Sequence, residues 1–259
     1  MENYVHRLIN SYIRIIKIDE FVDKRDELYN ILDNNVRPIM KTEIFKMAGR
    51  EIDVKNRTRL IGVMPEYKDV EKCGTYRIAS CPDGMKADVC PGELIPYIHS
   101  VEKNLRKEGI LTKKFTNLYI NRYELDGVIG YHADNDKNLN VNEPIVSISL
   151  GTRRVFRVMM WALEETSKER IKRSGKYDVV DISQTSPTVF NKNNPDNKCV
   201  SFTRDYTLHH GTVLVMLPGL QEIAKHSIIP VKKSEYKELE NNKYGGVRYN
   251  ITLRRYYTS

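Results

Sequence analysis

The sequence predicts an α+β fold, with helices first and then a sheet sandwich or barrel that carries those helices on one face. Two observations point there. As far as Gly109, apolar residues recur at helical spacing in two segments. Beyond it the chain turns to short runs rich in β-branched and aromatic residues, punctuated by Gly or Pro. Size agrees: 259 residues lie near the upper limit for a single hydrophobic core, so one large domain, or a core with an N-terminal elaboration, is expected.

The elements follow in order. Residues 19–34, DEFVDKRDELYNILDN, read as a helix with Asp19 as N-cap and Phe21, Leu28, Ile31 and Leu32 on one face. Residues 92–108 read as a second helix, with Leu94, Ile95, Ile98, Val101 and Leu105 at helical spacing and Gly109 as its stop. FTNLYINRY, EPIVSISLG, RRVFRVMMW, GTVLVMLPG, HSIIPV and VRYNITLRRYY read as strands. Residues 162–200 form a long excursion between two strands. It opens as a charged helix candidate, ALEETSKERIKRSG, and continues through SPTVFNKNNPDNK, rich in turn formers. KKSEYKELENNKYGG, before the last strand, reads as an extended hairpin loop.

Composition sets limits. Apolar residues are 40% of the chain, enough for a globular core. No apolar run approaches the ~20 residues of a membrane helix, and MENYVHRLIN lacks the apolar stretch of a secretory signal. A cytoplasmic or nuclear protein without membrane contact is therefore expected, with Cys73, Cys81, Cys90 and Cys199 as reduced thiols; their spacing does not suggest zinc. A net charge of +8 suits a polyanionic partner such as nucleic acid.

The chemistry concentrates in NRYELDGVIGYHADND, residues 121–136. In a strand, residues two apart share a face, so His132 and Asp134 can aim an imidazole and a carboxylate at one point. Those are two ligands of a 2-His-1-carboxylate iron site. The third must be a distant histidine: His6, His99, His209, His210 or His226. His226, in KHSIIPV, is favoured because an adjacent strand can carry it across, and the His209–His210 pair is the runner-up. Alone, an H-x-D is more often a surface turn. RYNITLRR adds weight. Tyr249, Ile251 and Leu253 form an apolar face, while Arg248, Asn250, Thr252 and Arg254 form a polar one. Such a face is normally solvated. Turned into a barrel, its arginines require a carboxylate partner, because a buried unpaired guanidinium is very costly.

With those motifs the chain resembles the AlkB-like Fe(II)- and 2-oxoglutarate-dependent dioxygenases, in their nucleic-acid demethylase branch. The resemblance rests on Asn121 and Tyr123 as N-x-Y, His132 and Asp134 as H-x-D, SISLG at 147–151, His226 ahead of Pro230, and R-x-N-x-T-x-R from Arg248 to Arg254. It covers roughly residues 110–259. Residues 49–80 more loosely resemble the family's nucleotide-recognition segment.

The resemblance implies a double-stranded β-helix (jelly-roll) core with N-terminal helices packed on one sheet. It divides the chain into a helical and nucleotide-recognition elaboration at 1–110 and the dioxygenase jelly roll at 111–259, with the insertion at 162–200. His132, Asp134 and His226 would hold Fe(II). Arg248 would pair with the distal carboxylate of 2-oxoglutarate, helped by Tyr123 and Asn250. Arg254 would sit by the carboxylate at the metal end with Asn121 close by, and Thr252 belongs to the same strand face. Tyr76 and Asp136 would contact the substrate base.

The activity implied is oxidative demethylation of N-alkylated bases in nucleic acid, in alkylation repair or RNA demethylation, by a monomer. Succinate, CO2 and formaldehyde would be released, and the base would be flipped or single-stranded. Arg57 and Arg59, Lys113 and Lys114, and Arg153, Arg154 and Arg157 are candidates to hold the phosphate backbone. Two other readings are a 2-oxoglutarate oxygenase acting on protein or a small molecule, and a catalytically inactive nucleic-acid-binding module. The longer interval between His226 and Arg248 and the large insertion bear on substrate identity more than on chemistry.

Overall fold

The structure, a computed structural model, describes residues 2–47, 50–78, 81–163, 177–180, 187–190 and 199–258. In chain order the described strands are β1 (Ile13–Ile16), β2 (Lys41–Met47), β3 (Arg50–Val63), β4 (Thr75–Ile78), β5 (Cys81–Lys86), β6 (Asp88–Val89), β7 (Asn117–Tyr123), β8 (Ile129–His132), β9 (Ile145–Gly151), β10 (Arg154–Leu163), β11 (Tyr177–Val180), β12 (Pro187–Phe190), β13 (Cys199–Leu208), β14 (Thr212–Met216), β15 (Ala224–Ile228) and β16 (Arg248–Arg254).

They form two main sheets. The larger runs β1-β14-β9-β16-β7-β3-β2, with β6 parallel on β3. The smaller runs β12-β11-β10-β15-β8, with β13 also pairing β10. β4 and β5 make a separate hairpin. This is the mixed helix-and-antiparallel-sheet arrangement of a jelly roll.

Strand alternation sorts the residues of β16. Tyr249, Ile251 and Leu253, at most 1% exposed, join Leu118, Ile120 and Ile148 under a helical layer. That layer supplies Leu28, Leu32, Ile98, Val101 and Leu105. Each such fully buried side chain contributes roughly 1.5–3 kcal/mol. The second cluster joins the sheets through Ile61, Ile145, Phe156, Val158, Leu214 and Ile228, and the N-terminal helix Glu2–Tyr12 adds Val5 and Ile9. The helices Arg25–Ile31 and Ile95–Lys107 therefore pack on the larger sheet, whereas the N-terminal helix lies against β10 and β13 of the smaller one, so the helices do not all share one sheet as expected.

Several elements depart from the sequence-based expectation. The helix expected at 19–34 is broken into Asp19–Val22 and Arg25–Ile31, followed by a π-turn at Leu32–Val36. Its N-cap is Ile18, not Asp19, and no side chain caps it. The second helix runs Ile95–Lys107 after a 3-10 turn, and Gly109 ends it at φ 68°. KKSEYKELENNKYGG does not form a hairpin loop. It makes a 3-10 turn, Lys233–Glu235, and a helix, Tyr236–Glu240, because Leu239 at helical spacing finds a buried site. In the insertion, Pro187–Phe190 is a strand paired with β11, and β11 extends the smaller sheet beside Trp161 and Ala162. Most of the helix candidate, with Lys168, Arg170, Lys172 and Arg173, lies outside the described residues.

Candidate metal and dicarboxylate site

Strand register assembles the polar face. β16 lies between β7 and β9, so Asn250 stands opposite Asn121 on one side and Ser149 on the other, and Arg248 opposite Tyr123 and Gly151. β3 extends the rows with Arg57 opposite Tyr123 and Arg59 opposite Asn121. Position 151 has to be glycine. Its φ is 91°, and a Cβ there would sit 2.5 Å from the Val247 carbonyl oxygen.

Across the sandwich, β8 and β15 pair with His132 directly opposite His226. Their rings are 4.3 Å apart. Asp134 does not share a strand face with His132, as the two-residue spacing suggested, because β8 ends at His132. The following loop delivers its carboxylate, with the Asp134 amide donating to Gln221 Oε1 at 2.8 Å. Asp134 Oδ1 lies 3.8 Å from His132 Nε2, and Oδ2 lies 3.9 Å from His226 Nε2. One ligand atom from each of the three residues falls within 4.8 Å of the others, a separation that fits a single metal ion.

The surroundings prepare each group. His132 Nδ1 lies 2.8 Å from the Gly130 carbonyl and donates to it, which leaves Nε2 as the lone-pair nitrogen. Burial, with His132 alongside, pushes the His226 pKa down to about 3, so its ring is neutral at neutral pH. Phe156 stacks on it at 5.1 Å and walls it from water. Burial opposes the charge of Asp134, but Arg254 and the two histidines outweigh it and hold the carboxyl below its ordinary range. Arg254 reaches Asp134 Oδ1 through Nη2 and Asp136 Oδ2 through Nη1 at 2.7 Å.

Arg248 fits a dicarboxylate. It is 1% exposed, and Nη2 donates to Ser149 Oγ and Asn250 Oδ1, both at 2.8 Å. Nε and Nη1 have no hydrogen-bond partner among the described residues. Burial, with Arg154 nearby, lowers its pKa to about 10. A buried cation with two open donors calls for a carboxylate. Asn250 is locked by Ser147 and Thr252 at 2.7 Å each.

These groups line one cavity of about 660 Å³, which takes in Asn121, Tyr123, Asp136, Thr252, both histidines and Asp134. Tyr76 is on β4 opposite Met85; its side chain lies outside the described residues. The alternative ligands are elsewhere. His209 is exposed, and His210 accepts from the Gly151 amide at 2.8 Å while facing Asp26 at 3.1 Å. The basic clusters also sort differently from the backbone-binding expectation. Arg57 and Arg59 line the cavity, with Arg59 Nε donating to Asn121 Oδ1 at 3.2 Å. Arg154 is buried among four carbonyls, those of Glu124, Leu125, Gly127 and Ile229. Arg153 pairs with Glu235 and Glu238, and Arg157 with Asp205. The sequence marked Ser147 and Ser149 only as part of SISLG and Phe156 only as a strand residue; what each does appears through its cross-strand neighbours.

A family model for the 2OG-Fe(II) oxygenase superfamily matches residues 22–254. No curated protein matches the sequence. One similar solved structure, described as "The structure of OsALKBH1", is 16% identical with a TM-score of 0.48, over 94% of this chain and 98% of that one. Another, an oxidoreductase of the 2OG-Fe(II) oxygenase family from Burkholderia pseudomallei, is 16% identical with a TM-score of 0.48, over 97% and 88%. With a family match along nearly its whole length, a His-Asp-His cluster of which Asp134 and His226 are buried, and a buried arginine awaiting a carboxylate, the chain belongs to the 2OG-Fe(II) oxygenase superfamily and is a dioxygenase that uses Fe(II) and 2-oxoglutarate.

Proposed function

We propose that the protein removes N-linked methyl groups from bases in nucleic acid, with release of succinate, CO2 and formaldehyde. The observation that carries this reading is the shape of the cavity. At about 660 Å³ it is of a size that holds a drug-sized ligand, so a small dicarboxylate leaves room for a second, planar guest. Val128 and Tyr131 line it and are 37% and 40% exposed, an apolar mouth on which a flipped base can stack. The motif order of the sequence and its net charge of +8 agree.

In this reading His132, Asp134 and His226 hold the metal, and the open guanidinium donors of Arg248 meet the distal carboxylate of 2-oxoglutarate. Asn250 and Tyr123 keep that guanidinium in place, and Asn121 with Thr252 lines the same wall. Arg254 steadies Asp134 beside the metal end of the co-substrate. Bound iron with 2-oxoglutarate supplies the oxidation of an otherwise inert methyl C–H bond. Asp136 and Tyr76 are proposed to meet the base.

The test is mass spectrometry on a panel of methylated DNA and RNA oligonucleotides, single- and double-stranded, with methylated peptides alongside. Formaldehyde and succinate released in step with loss of a base methyl group is the expected result. Turnover of peptide with none of any oligonucleotide would overturn the proposal in favour of a protein oxygenase.

A further inference from the structure

Behind the metal cluster lies a hydroxyl network that no sequence motif marks. Asp136 Oδ2 accepts hydrogen bonds from Arg254 Nη1 and from Tyr256, both at 2.7 Å, and the Tyr119 hydroxyl lies 3.3 Å away. The two phenol oxygens are 2.6 Å apart. Each phenol has one proton, so the short contacts order themselves as Tyr119 to Tyr256 to Asp136. The Tyr119 ring also lies 4.0 Å from the Arg254 guanidinium carbon. Both tyrosines are buried, 5% and 1% exposed. The tail after β16 fastens the same loop: Asn140 donates to the Arg255 carbonyl at 2.8 Å, and Tyr257 donates to that of Asn138 at 2.9 Å.

The Arg254 fork is thereby split between two carboxylates. One arm covers Asp134 Oδ1 and the other is held on Asp136, which leaves Asp134 Oδ2 facing His226. A guanidinium prefers to engage both oxygens of one carboxylate. Released from Asp136, Arg254 would close on both oxygens of Asp134 and withdraw Oδ2 from His226. We propose that Tyr256, relayed from Tyr119 and acting through Asp136 and Arg254, is a positioning residue that keeps one Asp134 oxygen available to the metal. This inference rests on His132, Asp134 and His226 being the metal ligands.

The test is titration of the full chain with Co(II), without 2-oxoglutarate and under argon, following ligand-field absorption, with thermal unfolding measured in parallel. Tyr256→Phe removes one oxygen and keeps the ring. It should weaken Co(II) binding on the order of threefold to tenfold, the effect of one lost buried hydrogen bond. Asp136→Asn should weaken it at least as much, and both should alter the absorption envelope. A role confined to packing would lower the unfolding temperature and leave affinity and spectrum alone. If both variants bind Co(II) within about twofold of wild type while Asp134→Ala has lost it, the positioning role is wrong and the ligand set stands. If Asp134→Ala binds like wild type, the ligand set is wrong, and this inference goes with it.

Discussion

Arg248 offers the sharpest test of the dicarboxylate site, because its two expected effects run in opposite directions. The side chain is 1% exposed, two of its nitrogens lack hydrogen-bond partners among the described residues, and burial has already lowered its pKa to about 10. Two charge-assisted hydrogen bonds to a carboxylate, at roughly 1.5–3 kcal/mol each, are available to the wild type. Arg248→Lys keeps the charge but loses the planar fork and one of those bonds. Its KM for 2-oxoglutarate should rise by roughly 10- to 150-fold. Arg248→Met loses both bonds and should bind the co-substrate too weakly to measure. It also removes a buried, underpaired charge, so the ligand-free protein should be at least as stable as wild type, by on the order of 1 kcal/mol or more. Thermal unfolding of the Mn(II)-loaded protein under argon, across a 2-oxoglutarate titration, reads both effects. Wild type should gain about 2.7 kcal/mol at a hundredfold excess over Kd, and Arg248→Met should gain nothing. An unchanged KM in Arg248→Lys, or a ligand-free Arg248→Met that is destabilised yet still stabilised by 2-oxoglutarate, would show that the cavity end at Arg248 is not the carboxylate site.

Three further outcomes are expected. His132→Ala, Asp134→Ala and His226→Ala should each abolish succinate release while far-UV circular dichroism stays native, whereas His209→Ala, on an exposed turn, should remain active; near wild-type turnover by Asp134→Ala would refute the iron site. His210 has a folded pKa lowered to about 4, chiefly by burial, so the unfolded chain binds its proton first as pH falls. The stability this group contributes is present above about pH 6.5 and lost on the way down to about 4; denaturant titrations from pH 7 to 4 should show a shallower acid decline in His210→Gln, and identical slopes would refute the assignment. Neutralising Lys168, Arg170, Lys172 and Arg173 together should weaken oligonucleotide binding and flatten its log–log salt slope by up to about 0.9 per lost phosphate contact on duplex, or about 0.7 on single strands, with turnover of a methylated mononucleoside unchanged; an unaltered slope and affinity would remove the insertion from substrate binding.

How much of this was legible beforehand depends on the range of the physics involved. Alternation is local, so RYNITLRR by itself announced one apolar and one polar face, and the polar face proved to line the cavity. The H-x-D pair was visible as chemistry, though a loop anchored on Gln221 brings its carboxylate round instead of a strand face. Spacing left the third histidine open among five. The β8–β15 register sets His226 opposite His132, and His210 serves the Gly151 amide and faces Asp26. Composition could not separate cations that hold solvent, carbonyls or a cavity: Arg57 and Arg154 look alike in sequence, yet one lines the site and the other is caged by four backbone oxygens. Tyr119 and Tyr256 are the extreme case. They are far apart along the chain, neither belongs to a motif, and their hydroxyls meet at 2.6 Å because β16 runs beside β7 and the tail that follows it carries Tyr256 to Tyr119. The sequence by itself determined which faces are polar and which residue types can hold iron and a carboxylate, because those follow from side-chain period and donor chemistry. Only the tertiary structure decided which of them meet, because contacts between distant segments are set by strand register and buried packing, which no local pattern encodes.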